Sequence, residues 1–126
     1  MTIYLLAFFL LLVPFSADLP PVFDEYDSRI SIKQENERLN NYAFQLKASP
    51  DTRALIVVYA ENEKSVDSVQ ARARRAVKYL VKTRRIDPTR VVWRYEAVCK
   101  AKGNIIILFL LYPDQIDPAR DTKCIR

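Results

Sequence analysis

The stretch LIVVYAENEKSVDSVQARARRAVKYL, residues 55–80, decides the fold. Leu55 to Tyr59 are unbroken apolar, the pattern of a strand covered on both faces. Glu61 and Asn62 mark a polar turn. Val66, Val69, Ala73, Ala76 and Leu80 then recur at helical spacing and define one core-facing stripe. A strand feeding a helix through one short turn is half of a βαβ unit.

The flanking sequence completes that unit. Upstream, Asp18 to Pro21 is a proline-containing lead-in and Val22 to Tyr26 a short strand. Ser31 reads as a helix N-cap, with Gln34 three residues later completing a capping box. Ile32, Leu39, Ala43 and Leu46, helped by Tyr42, share one face of that helix, and Ser49-Pro50 stops it. Arg53 to Ala60 is the second strand. The second helix is expected to start near Asp67, capped by it with Gln70 in the box position, and to run to about Thr83. Arg84 and Arg85 suit its negative pole, and Asp87-Pro88 closes it. Val91 to Tyr95 is a third strand, and Lys100 to Asn104 turns a hairpin into Ile105–Tyr112. The order β-α-β-α-β-β predicts an α/β two-layer sandwich, a mixed sheet with two helices on one face. Parallel neighbours in it are joined by right-handed crossovers.

Composition narrows the chemistry. The 126 residues make one domain, with no internal repeat. Gly103 is the only glycine, which argues against a phosphate-binding loop or a nucleophile elbow. Histidine is absent, removing the usual general base and the commonest metal ligand. Two cysteines without histidine cannot close a structural zinc site. A non-catalytic protein without metal or cofactor is expected.

Charge is split. Asp18 to Glu63 carries nine acidic and five basic residues, whereas Lys64 to Arg126 carries fifteen basic and six acidic. Arg74, Arg75, Lys78 and Lys82 lie off the apolar stripe of the second helix. They form either a solvated face or a surface for an anionic polymer. Trp93, Tyr95 and Tyr112 read as packing aromatics and Glu96 as a surface residue.

Residues 1–17 hold no charged side chain, and Ile3 to Phe15 is almost wholly apolar, broken by Pro14. This is the core of a signal peptide; an uncleaved N-terminal anchor is the rival. Residues 18–112 form the domain and 113–126 a polar C-terminal tail. In an oxidising compartment Cys99 and Cys124 can pair, closing a loop of about 25 residues and tying the tail down. The alternatives are two free thiols in a chain that is never exported, or an intermolecular bridge through Cys124.

Several of these stretches resemble the C-terminal peptidoglycan-associating domain of OmpA-like proteins. Phe23-Asp24-Glu25-Tyr26 ahead of a capped helix is similar to the family's Phe-Asp opening. Tyr59-Ala60-Glu61-Asn62 stands at the place of its Gly-His-Thr-Asp-Asn. Arg72-Ala73, followed by Tyr79-Leu80, stands at the place of its Arg-Ala helix, and Ile86-Asp87-Pro88-Thr89-Arg90-Val91 resembles its link into the next strand. Small secreted bacterial proteins that share the Phe-Asp-Glu-Tyr and Gln-Ala-Arg-Ala stretches are more similar still. The resemblance implies that Glu61 and Arg72, with Asn62 beside them, clasp the diaminopimelate zwitterion of the wall peptide. The rival reading of Glu61 and Arg72 is a plain surface ion pair. Peptidoglycan or an envelope protein is the expected partner, in the periplasm or cell envelope of a bacterium. Nucleic acid is not expected. Alternatively, an OmpA-like scaffold that has lost the wall ligand serves as a protein-interaction module.

Overall fold

The computed structural model describes residues 20–115. The expected signal segment and most of the C-terminal tail, Cys124 included, lie outside the described residues. Six main elements follow in order: β1 (Val22–Asp27), α1 (Ile32–Ala48), β2 (Arg53–Ala60), α2 (Val66–Lys78), β3 (Val91–Val98) and β4 (Ile105–Leu111). The strands form one mixed sheet in the order β1-β4-β2-β3. β2 and β3 are parallel, with Ile56 opposite Trp93. β4 is antiparallel to both β1 and β2, with Ile56 opposite Leu108.

Local sequence accounts for most of these boundaries. The Ser31 box forms: Gln34 N–H donates to Ser31 Oγ (3.1 Å) and Ser31 N–H to Gln34 Oε1 (3.1 Å). α1 ends at Ser49, before Pro50. β2 holds the alternation hidden in its apolar run. Ala54, Ile56, Val58 and Ala60 join the core under the helices, while Leu55, Val57 and Tyr59 join a second cluster on the other face. α1 contributes Leu39, Tyr42, Ala43 and Leu46 to the first core, and α2 contributes Val69, Ala73 and Ala76, with Leu80 just beyond. The sole glycine, Gly103, has φ +80°, a left-handed conformation that side chains disfavour, in the turn before β4.

Six expectations are corrected. α2 is not capped by Asp67; Asp67 sits in its first turn, and a 3₁₀ turn over Glu63–Ser65, capped by Asn62, leads into the helix. The chain prefers that turn because the Asn62 side chain accepts from two backbone N–H groups, Lys64 at 2.9 Å and Ser65 at 3.2 Å. The helical run ends at Thr83 in a π-helical turn over Tyr79–Thr83, and Arg85 follows with φ 61°. Asp87-Pro88 does not stop that helix; Asp87 caps a separate 3₁₀ turn, Pro88–Arg90. Ile32 lies off the core stripe of α1 and is 45% exposed, because the buried position one turn on is Glu35. β3 extends to Val98, and β3 and β4 form no hairpin: β2 lies between them. β2 offers an apolar row to each face of the sheet, so the central place goes to it. Glu96, read as a surface residue, is 6% exposed and pairs with Arg94 Nε at 3.0 Å.

Arg90 is a fold-level clamp. Its Nη2 donates to the carbonyls of Leu46 (2.8 Å), Ser49 (3.1 Å) and Thr52 (2.7 Å), and its Nε to Thr52 (2.9 Å). One guanidinium thereby ties the Leu46 carbonyl, in the last turn of α1, to the Ser49 and Thr52 carbonyls of the turn into β2. Arg90→Ala is expected to lower unfolding free energy by about 2–3 kcal/mol in urea melts, since it strips a charged donor from several acceptors at once. Val92→Ala, at a 44% exposed position, should stay within about 0.5 kcal/mol of the parent chain.

Candidate functional site

The carboxyl ends of β1 and β2 and the start of β4 meet where open α/β sheets commonly bind ligands. Glu61 follows β2 directly and is exposed. Asn104 organises the loops around it. Its Oδ1 accepts from Glu61 N–H (2.7 Å) and Ser65 Oγ (2.7 Å), and its carbonyl from Ser28 N–H (2.9 Å). Asn62 N–H donates to Ser65 Oγ (3.3 Å), and Ser65 N–H returns to Asn62. The N–H groups of Glu61, Asn62, Lys64 and Ser65 thus all serve the loop itself. Asp27 and Arg29 form a two-point pair nearby, and the hydrogen bond from Arg29 holds the Asp27 carboxyl below its ordinary value.

Arg72 does not pair with Glu61. Its Nη2 donates to the Ile30 carbonyl, and its Nε lies 3.0 Å from Glu35 Oε1, within ion-pair distance but not aligned as a hydrogen bond. Glu35 is fully buried on α1. The same Oε1 accepts from Arg75 Nη1 at 2.6 Å, and Oε2 accepts from the Tyr26 hydroxyl at 2.7 Å. Arg75 also donates to Asn36 Oδ1 (2.8 Å). One buried carboxylate therefore joins β1, α1 and α2. Burial, and then the Glu35 charge, pushes the Tyr26 hydroxyl well above its ordinary value. Burial does the same to Tyr42, whose hydroxyl donates to the Phe109 carbonyl.

The basic face divides. Arg75 is committed to Glu35, and Arg74 stacks 5.8 Å from the Trp93 ring centre. Lys78 and Lys82 are exposed and line a 190 Å³ cleft with Arg75, Tyr79 and Thr83. A larger cleft of 420 Å³ opens between β1 and α1, where Asp24 and Arg38 pair at 2.6 Å. Trp93 and Tyr95 pack partly against the main core, as expected of them, while Tyr112 is 39% exposed. Cys99 is buried at the end of β3; its pairing with Cys124 lies outside the described residues. Among the described residues no cluster of acidic or cysteine side chains is suited to a metal ion, and no helix is long and apolar enough to cross a membrane.

Sequence reading missed Glu35 and Asn104 as organisers. Glu35 had a legible signal: an acid on the apolar stripe of α1, four residues before Leu39, demands a buried cation. Arg72 and Arg75, three apart on α2, are the pair to supply it. Asn104 carried no such signal, because its partners come from loops far away in sequence. No protein-family model and no curated protein matches this chain.

Glu35→Gln keeps the shape but removes the charge between two arginines. It is expected to lower stability by about 3–5 kcal/mol in urea unfolding, since one partner of a buried pair is stranded. Tyr26 and Tyr42 keep their protons in the fold, while the unfolded chain ionises them near 10.0. The stability that they contribute is intact below that pH and is lost as pH rises above it. Melts between about pH 9 and 11 should show a steep decline that is shallower in Tyr26→Phe.

Proposed function

We propose that this chain is a non-catalytic binding domain of a bacterial cell envelope: an OmpA-like scaffold that engages a protein partner and does not clasp the wall zwitterion. The observation that supports this reading is the commitment of Arg72. A zwitterion held by Glu61 and Arg72 needs an open guanidinium, and this one is already neutralised by a carboxylate with no solvent exposure. Freeing it would leave the buried Glu35 carboxylate with Arg75 as its one remaining guanidinium partner and would give up the Ile30 contact. The loop N–H groups that would meet a ligand beside Glu61 are turned to Asn104, Asn62 and Ser65.

A protein partner suits the outer side of α1. Phe44 is 72% exposed there, among exposed Glu37, Asn41 and Lys47. A large aromatic inside a polar rim is the composition of a binding hot spot. The lack of histidine and of a glycine loop supports binding over catalysis. Export, and a mature chain that begins near Asp18, belong to the same proposal.

A second reading rests on Arg74, Lys78 and Lys82. They are exposed and follow one another every four residues, about 6 Å apart along the helix. Such a row fits an anionic polymer, and its binding would weaken steeply with salt.

Co-sedimentation with purified peptidoglycan separates these readings. The chain is expected to stay in the supernatant, with Glu61→Gln and Arg72→Lys unchanged. Pelleting at all salt concentrations that is lost in Glu61→Gln would overturn the proposal in favour of the wall site. Pelleting abolished by salt and by Lys78→Ala/Lys82→Ala would favour the anionic polymer.

A further inference from the structure

Both faces of β2 and β4 are apolar, yet the described helices cover only one. Leu39, Tyr42 and Leu46 of α1, and Val69, Ala73 and Ala76 of α2, all meet the face of Ile56, Val58, Ile106 and Leu108. The opposite face carries Leu55, Val57, Tyr59, Ile107, Phe109 and Leu111, with Cys99 at one end, and no helix residue belongs to that cluster. Its side chains are nonetheless buried like a core: Val57 is 3% exposed, Ile107 6% and Leu111 1%. Neighbours within a sheet shield the flanks of a side chain but not its tip, so a face this dry needs a cover.

We infer that the C-terminal segment, residues 116–126, lies across this second face as a strap. The argument is one of length and end points. The segment follows the Leu111 end of β4. Cys99 sits at the other end of the sheet: its N–H donates to the Ala60 carbonyl (2.7 Å), next to Tyr59, which pairs with Ile105 at the start of β4. The way back along β4 is about 20 Å at the usual rise of a strand. Gln115 N–H donates back to the Tyr112 carbonyl (3.0 Å) and closes a turn, and the nine residues from Gln115 to Cys124 reach about 30 Å when extended. Cys124 therefore arrives at Cys99 with slack to spare. The face under the helices is filled, so the return path runs over Phe109, Ile107, Val57 and Tyr59. Ile116 and Ile125 provide apolar anchors near the two ends of the segment, and Asp117, Arg120, Asp121 and Lys123 suit a strap with one side in water. Residues 1–19 are the other stretch of chain beyond the sheet; as an export signal most of them would be absent from the mature protein.

The test is a photo-crosslinker, Ile107→p-benzoyl-phenylalanine, in the full chain. Irradiation and peptide mapping are expected to join position 107 to residues 116–126. Cross-links to residues 1–19 or to a second copy, or none in a folded variant, would overturn the inference. Should that substitution unfold the chain, removal of residues 116–126 from the parent sequence decides. Far-ultraviolet dichroism should be kept while binding of an apolar fluorescent dye rises severalfold; unchanged dye binding would overturn the strap. A non-reduced digest is expected to yield one linked peptide pair carrying Cys99 and Cys124.

Discussion

The buried carboxylate of Glu35 is the constraint around which the rest is arranged. A charge with no solvent exposure stands only where partners surround it, and here they come from three elements. Tyr26 arrives from β1, and Arg72 and Arg75 from α2. Their positions relative to Glu35 set how α1 and α2 lie side by side and how β1 sits beneath them. Apolar packing alone is tolerant of small slides between helices. A carboxylate with one oxygen on a tyrosine and the other between two guanidiniums is not.

That constraint has a functional consequence. An arginine can recognise an external carboxylate bidentately, but only with its donors available. Arg72 is held within the fold, its charge beside Glu35 and its Nη2 donating to the carbonyl of Ile30. Glu61 is left on the surface beside loops that Asn104 holds together. The same end of the sheet that could have been a ligand site is thus built as a joint. The surfaces left open on the helices are the exposed aromatic on α1 and the lysines of α2.

The legible parts of the chain were those governed by neighbours in sequence. Ser31 with Gln34, the Ser49-Pro50 stop, the β2 run and the Val69-Ala73-Ala76-Leu80 stripe all act over a few residues, and all stand in the structure as expected. The misreadings fell where two local signals competed. Asp67 looked like the cap of α2, but Asn62, read as a turn residue, caps a 3₁₀ turn ahead of it because Ser65 reciprocates. Glu96 looked like surface because an acid in a strand usually is; its burial beside Arg94 depends on what packs over that face.

The sequence by itself determined the class of fold, the order of elements and the faces that would be buried, since periodicity and capping are properties of adjacent residues. Only the tertiary structure decided that β2, not β3, neighbours β4, and that Arg72 belongs to Glu35 and not to Glu61. Both outcomes turn on contacts between residues tens of positions apart. No local pattern ranks such pairings; the competition is settled by which arrangement buries two apolar rows of β2 and leaves no charge in the core alone.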